Sequence, residues 1–255
     1  MTAVFDAKAC AASLFDARKA SRKVDWPTTG PQTPADAYAV QAAMAELSGG
    51  TVPGWKVGNL TVAQQEKSNI PSVTTGALLA PWFAPSPVRW RLADFLVPKL
   101  ECEFAFSLGM DLPKRAAPYT REEVAAAVAA LHPAIEIFDT RQAVPSPLGS
   151  LADCMASGGF AYGPGYADWK KLDLGKHTMT LSLDGAEVAK GSGAEILGDP
   201  FAALVLMANN PPSWNALRKG TVVTTGSCIV PYLASKTGTY TADFGILGKV
   251  EIAMI

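Results

Sequence analysis

A chain of 255 residues with 22 basic and 23 acidic side chains presents no broad field of one sign, which argues against a nucleic-acid interface or a polybasic membrane footprint. Hydrophobic residues make up 49% and charged residues 18%, enough to bury a substantial core in one large domain or in a core domain with a small attachment. A small or neutral partner is the expectation.

Residues 1–12 carry Asp6 and Lys8 without an unbroken apolar run, and so match neither a signal peptide nor an anchor. Apolar stretches such as residues 201–208 fall short of the roughly 20 residues that a membrane span needs. No membrane association and a cytoplasmic location are expected. Apolar residues at helical spacing predict a helix over residues 5–22, and Thr33-Pro34 opens a second through Asp36-Ala37-Tyr38-Ala39-Val40-Gln41. Gly49-Gly50 ends it, and a soft boundary near residue 50 divides a helical N-terminal region, 1–50, from a strand-rich body, 51–255.

From Val52 the vocabulary is that of strands and turns: Gly54-Trp55-Lys56-Val57-Gly58, then Pro71, Gly76, Pro81, Pro85 and Pro87. Residues 96–108 predict a strand, and Thr120 with Glu123 has capping-box spacing ahead of an alanine-rich helix that Pro133 is expected to stop. Further strands are predicted at residues 134–138, 178–183, 221–225 and 239–244, with a helix over 200–209. The whole reads as α+β.

Cys10, Cys102, Cys154 and Cys228 are scattered, with no CxxC pair and no neighbouring histidine, and are expected to be buried free thiols. In Leu100-Glu101-Cys102-Glu103-Phe104-Ala105-Phe106 the alternation of a strand puts Glu101 and Glu103 on one face and the apolar residues on the other. Like charges that close raise each other's pKa or require a cation. Glu136 is a single acid in the apolar run Pro133-Ala134-Ile135-Glu136-Ile137-Phe138 and also calls for a partner. Three carboxylates without cysteine or histidine favour a hard cation, magnesium or manganese. The competing reading is a strand whose Glu101 and Glu103 simply face water.

Lys56, flanked by Gly54 and Gly58, sits where backbone can approach a ligand and a cation can meet a carboxylate; an ordinary surface lysine is the alternative. Asp139 and Arg141 either pair locally or help shape a site. Thr224-Thr225-Gly226-Ser227 ends a strand with a tight glycine turn whose hydroxyls, Thr225 and Ser227 among them, and amides offer a site to an oxyanion or carboxylate, with a plain turn as the equal competitor. Ser157 in Asp153-Cys154-Met155-Ala156-Ser157 is a candidate contact in a ligand loop or in a merely flexible connection. Gly191-Ser192-Gly193 lacks a P-loop lysine and is not a nucleotide site.

In order and spacing, these segments, together with Leu197-Gly198-Asp199-Pro200 and Thr225-Gly226-Ser227, resemble the 2-keto-4-pentenoate hydratase and 4-oxalocrotonate decarboxylase branch of the fumarylacetoacetate hydrolase superfamily. The likeness spans nearly the whole chain. It implies a mixed β-roll, the fumarylacetoacetate hydrolase-like fold, preceded by a helical region and assembled into homo-oligomers. It implies Glu101, Glu103 and Glu136 as ligands of Mg2+ or Mn2+, Lys56 as the active-site lysine, and a short 2-oxo acid or 2-hydroxydienoate from aromatic catabolism as substrate. Hydration of the 2-keto-4-pentenoate type is the expected reaction, with decarboxylation of the 4-oxalocrotonate type as the alternative, since one enolate serves both.

Two departures bear on the chemistry. Val73-Thr74-Thr75-Gly76 stands where such hydratases usually carry an aspartate, and Cys154-Met155-Ala156 replaces an amide-bearing loop. A binding protein that has lost its proton-transfer groups is therefore a reading of another class. The hydrolytic branch needs a histidine in the site, and neither His132 nor His177 has an obvious acidic partner.

Overall fold

The structure is a computed structural model that describes residues 5–25 and 30–255. Residues 1–4 of the stretch read for a leader lie outside the described residues. Helix α1 (Ala7–Lys19) begins where the Asp6 carboxylate accepts the amides of Lys8 and Ala9 at 2.9 and 3.1 Å. Helix α2 (Pro34–Leu47) opens on reciprocal capping between Thr33 and Asp36, with Pro34 in its first turn. Its buried Gln41 donates to the carbonyls of Thr75 and Leu151 at 3.0 and 2.6 Å and accepts from the Ala77 amide at 3.1 Å, so the helix is bonded to the strands that follow.

Strand β1 (Gly54–Gly58) leads into α3 (Val62–Ser68), β2 (Thr74–Leu78), β3 (Phe83–Pro85) and β4 (Val88–Trp90). The middle of the chain forms β5 (Lys99–Leu108), α4 (Arg121–Ala127), β6 (Val128–Phe138), α5 (Pro147–Ala152) and β7 (Ser157–Tyr162). It closes with β8 (Thr178–Leu183), β9 (Ala186–Ser192), α6 (Pro200–Asn209), β10 (Val222–Ser227), β11 (Tyr232–Leu233), β12 (Gly238–Asp243) and β13 (Lys249–Met254). One mixed sheet runs β2-β1-β10-β5-β6-β7-β3, with β11 beside β5, and a second runs β4-β13-β12-β8-β9.

The long antiparallel pair β5–β6 is the spine. Leu100, Cys102, Phe104 and Phe106 are fully buried on one face of β5. Phe104 meets Phe244 edge-on at 5.1 Å, and Phe106 meets Phe201 of α6 at 5.5 Å. Each such ring contributes about 2 kcal/mol by burial. This anchorage fixes the register of β5 and turns Glu101 and Glu103 to the opposite face.

Three expectations about local structure need correction. Pro133 does not stop the helix: α4 ends at Ala127, and β6 already runs through Pro133. Regular pairing of β6 with β7 begins at Ala134, the Pro133 carbonyl still accepts the Gly163 amide at 2.8 Å, and pairing with β5 overrides the helix preference of the alanine run. Thr74-Thr75-Gly76 is a buried strand, β2, rather than a turn, because it pairs with β1 across Lys56↔Gly76. Ser157 begins a strand, β7, rather than lying in a flexible connection. Helix α3 was signalled only by Thr61 and Gln64, which cap it reciprocally. Among the described residues no helix is long and apolar enough to cross a membrane.

Candidate metal centre

Four adjacent strands, β1, β10, β5 and β6, build the cluster. The register β5–β6 sets Glu101 directly opposite Glu136, and β10, between β1 and β5, brings Lys56 to the same face. One carboxylate oxygen from each of Glu101, Glu103 and Glu136 lies within 4.8 Å of the others. Glu103 and Glu136 are buried, and Glu101 is half-buried.

Each carboxylate is held differently. Glu103 Oε2 accepts the hydroxyl of Thr224 and, at 2.8 Å, the amide of Gly226. That amide is aimed by an irregularity in the β10–β5 ladder between Thr224 and Ser227, where Gly226 adopts φ 110°, a conformation that favours glycine. Lys56 Nζ donates to Glu136 Oε1 at 2.6 Å and to the Met155 carbonyl at 3.3 Å. Glu136 Oε2 is buried with no hydrogen-bond partner.

The electrostatics follow from this crowding. Burial, reinforced by the charges of Glu136 and Glu101, pushes the Glu103 carboxyl up to about 8. Burial likewise raises Glu101 to about 7, against the pull of Lys56. Burial disfavours the Lys56 ammonium, yet Glu136, Glu101 and Glu103 together hold it above the ordinary lysine range. The three acids outnumber the one cation, and an oxygen buried without a donor is costly, so the residues present fit a divalent ion of hard, oxygen-seeking character.

The cluster opens into a cavity of about 480 Å³. Lys56, Glu101 and Glu103 border it, Gln64, Lys67 and Ser68 of α3 line another part, and Ile70, Phe138, Leu151 and Met155 form apolar wall. Of the predicted contacts, Ser227 borders this cavity, although its hydroxyl donates to the Ile229 carbonyl at 2.8 Å. Thr225 points away: its hydroxyl donates to the Phe104 carbonyl at 2.8 Å. Asp139, Arg141 and Ser157 do not border the cavity at all. Asp139 accepts the amides of Leu96 and Val97, and Arg141 pairs with Asp153 at 2.8 Å rather than with Asp139. These side chains are spent on the scaffold, so their expected contact with substrate is not supported by their position.

Sequence reasoning passed over the Met155 carbonyl, whereas the hydroxyls and amides of Thr224-Thr225-Gly226-Ser227 read as a candidate binder of an oxyanion or carboxylate, and the carboxylate that Thr224 and Gly226 hold is that of Glu103. The histidines stay outside the cavity: the His132 ring faces the Gly163 carbonyl and the Ser107 hydroxyl, each at 3.0 Å, and His177 Nε2 meets the Phe244 carbonyl at 2.7 Å. All four cysteines are buried, Cys102, Cys154 and Cys228 as free thiols, and burial pushes Cys154 up to about 12.

A solvent-connected cavity bordered by two carboxylates and one lysine has the makings of a small-molecule site. The chain is 33% identical over 222 residues to a 2-keto-4-pentenoate hydratase of Burkholderia vietnamiensis, covering 84% of each chain. It is 30% identical over 182 residues to a 4-oxalocrotonate decarboxylase of a Pseudomonas species, covering 68% of this chain and 67% of that one. In three dimensions it shares the fold of the 4-oxalocrotonate decarboxylase from Pseudomonas putida G7, solved with magnesium and adipate: TM-score 0.86, 22% identity, 98% and 97% of the two chains covered. No family model matches the chain. The chain belongs to the family of the 2-keto-4-pentenoate hydratases and 4-oxalocrotonate decarboxylases.

Proposed function

We propose that the chain is a divalent-metal-dependent lyase of the 2-keto-4-pentenoate hydratase type, adding water to a short 2-hydroxydienoate or its 2-oxo tautomer in the breakdown of aromatic compounds. The observation that carries this is the trio Glu101, Glu103 and Glu136 beside Lys56, with Glu101, Glu103 and Lys56 bordering an open cavity. Identity to curated hydratases over most of the chain supports it. Glu101, Glu103 and Glu136 would hold the ion, and the magnesium in the related decarboxylase structure favours Mg2+, with Mn2+ next. When bound, the ion supplies Lewis-acid polarisation of the substrate's 2-oxygen and lowers the energy of the enolate.

The chain's own residues do the rest. Thr224 and Gly226 orient Glu103, which keeps that carboxylate turned to the cluster. The apolar wall of Ile70, Phe138, Leu151 and Met155 receives the hydrocarbon end of the substrate and keeps bulk water from it. The titratable side chains that border the cavity are Lys56, Lys67, Glu101 and Glu103. With two of these assigned to the ion and Lys67 exposed, Lys56 Nζ is the group that moves a proton or meets the substrate carboxylate.

Thr74 borders the cavity without a titratable group, and this favours decarboxylation as a second reading, because loss of carbon dioxide needs no separate group to deliver water. We further read the two sheets as the mixed β-roll of the superfamily, residues 1–50 as a helical N-terminal region, 51–255 as the catalytic domain, and the enzyme as a cytoplasmic homo-oligomer. The test is turnover of 2-hydroxypenta-2,4-dienoate and of 4-oxalocrotonate with added Mg2+, with and without chelator. Chelator-sensitive loss of the dienoate is expected. Carbon dioxide release from 4-oxalocrotonate alone selects the decarboxylase, tight binding without turnover selects a binding protein, and metal-independent turnover overturns the proposal.

A further inference from the structure

Behind Lys56 the chain makes an unusual turn. Cys154, Met155 and Ala156 are consecutive non-glycine residues with φ of 51°, 56° and 58°. Left-handed backbone of this kind is unfavourable for residues that carry a Cβ, and it persists only where the surroundings hold it. One side chain holds both of its ends. Arg141 Nε donates to Asp153 at 2.8 Å, just before the turn, and Arg141 Nη2 donates to the Ser157 carbonyl at 3.0 Å, just after it. The Asp139 amide takes the Ala156 carbonyl at 2.8 Å, and Arg18 Nη2 takes the Gly158 carbonyl at 2.6 Å.

The other side of the turn faces the cluster. The Met155 carbonyl accepts Lys56 Nζ, and the turn packs so tightly on the neighbouring strands that a Cβ on Gly76 would lie 2.6 Å from the Cys154 carbonyl oxygen and 2.9 Å from Lys56 Cγ. Asp153 and Arg141 are 0% and 2% exposed and do not border the cavity, so a ligand-contacting role does not account for them.

We propose that Arg141 and Asp153 are positioning residues that clamp Cys154–Ala156 in its left-handed form, so that the Met155 carbonyl fixes the Lys56 ammonium against Glu136. Nζ has three protons to place. Glu136 takes one at a fixed point and the Met155 carbonyl takes a second, and these two bonds leave the third directed by geometry rather than by rotation of a flexible stem. The proposal rests on the reading of Lys56 as the acting group.

The experiment compares Asp153→Ala, Asp153→Asn and Arg141→Lys with the parent. Arg141→Lys keeps the charge beside Asp153 but loses the fork that also reaches the Ser157 carbonyl. Acetylation of Lys56 by acetic anhydride is followed by mass spectrometry in metal-free protein, beside Mn2+ binding, kcat and KM. For Asp153→Ala we expect kcat to fall about 100-fold with KM and Mn2+ affinity within about 2-fold of the parent. Lys56 should acetylate several-fold faster in Asp153→Ala and Arg141→Lys, and Asp153→Asn, which keeps an acceptor for Arg141, should recover much of the parental behaviour. Parental acetylation rates in Arg141→Lys overturn the proposal, and this variant decides alone if Asp153→Ala does not fold. Loss of Mn2+ affinity in step with kcat also overturns it, because a collapsing site rather than a misplaced lysine would then be responsible. Acetylation is read without substrate or metal, so its outcome is separate from whether the chain turns over dienoates.

Discussion

The pair β5–β6 and the turn Cys154–Ala156 flank the same cavity but work by different means. On the strands, carboxylate side chains carry the chemistry, and their placement follows from period-two alternation locked by Phe104 and Phe106 in the core. In the turn, uncharged residues act through a backbone carbonyl, and their placement depends on Arg141, which comes from the other side of Asp139 and never reaches the cavity. The contrast teaches that one wall of a site can be built from side-chain identity and the opposite wall from backbone shape alone.

The largest effect should come from the strand side. Glu103→Gln is expected to weaken Mn2+ binding about 100-fold, measured by isothermal titration, while the melting temperature of the metal-free protein changes little. The reason is that the Glu103 carboxyl, pushed up to about 8, is mostly protonated at neutral pH when no ion is present, and glutamine copies that neutral form. Equal affinity in variant and parent would remove Glu103 from the site and break the comparison.

A second effect is the dependence of metal-free stability on pH. Folded Glu101 and Glu103 titrate near 7 and 8, first because of burial, whereas an unfolded glutamate titrates at about 4.3. Between those values the folded chain binds more protons than the unfolded one, so stability is greatest below about 4.3 as far as these groups are concerned and is lost as pH rises to about 8. Lys56, held above the ordinary lysine range, stays cationic through this window and does not oppose the trend. The metal-free melting temperature should fall on the order of 5 °C between pH 5.5 and pH 8, and saturating Mg2+ should flatten the slope. A slope unchanged by Mg2+ would separate the raised carboxyls from the ion.

The smallest effect sharpens rather than breaks the contrast. Thr224→Val removes the hydroxyl that Glu103 accepts but keeps the shape of the side chain. Mn2+ affinity should fall about 10-fold with kcat little changed at saturating metal, since an orienting partner is lost and no ligand is. The result distinguishes support of the ion from support of Lys56, which the turn provides.

Much of the strand wall was legible before any coordinates. Glu101, Glu103, Glu136 and Lys56 stood out because each is a charge set among apolar or glycine neighbours, and burying such charges together requires a compensating device. The capping pair Thr120–Glu123 shows both of its reciprocal bonds, because its signal is local. Pro133 misled because its effect depends on whether a neighbouring strand needs its amide, and Thr74 and Ser157 misled because pairing with β1 and β6 turned expected loops into strands.

By itself the sequence determined the alternation that separates carboxylates from core, the scarcity of histidine and the family resemblance, all of which depend on residue identity at fixed spacing. The tertiary structure decided that Glu101 faces Glu136, that the hydroxyl of Thr224 rather than that of Thr225 reaches Glu103, and that Arg141 grips the ends of a left-handed turn instead of a ligand. Those outcomes depend on register and on backbone groups that every residue possesses, and only the packing of distant segments selects which of them meet.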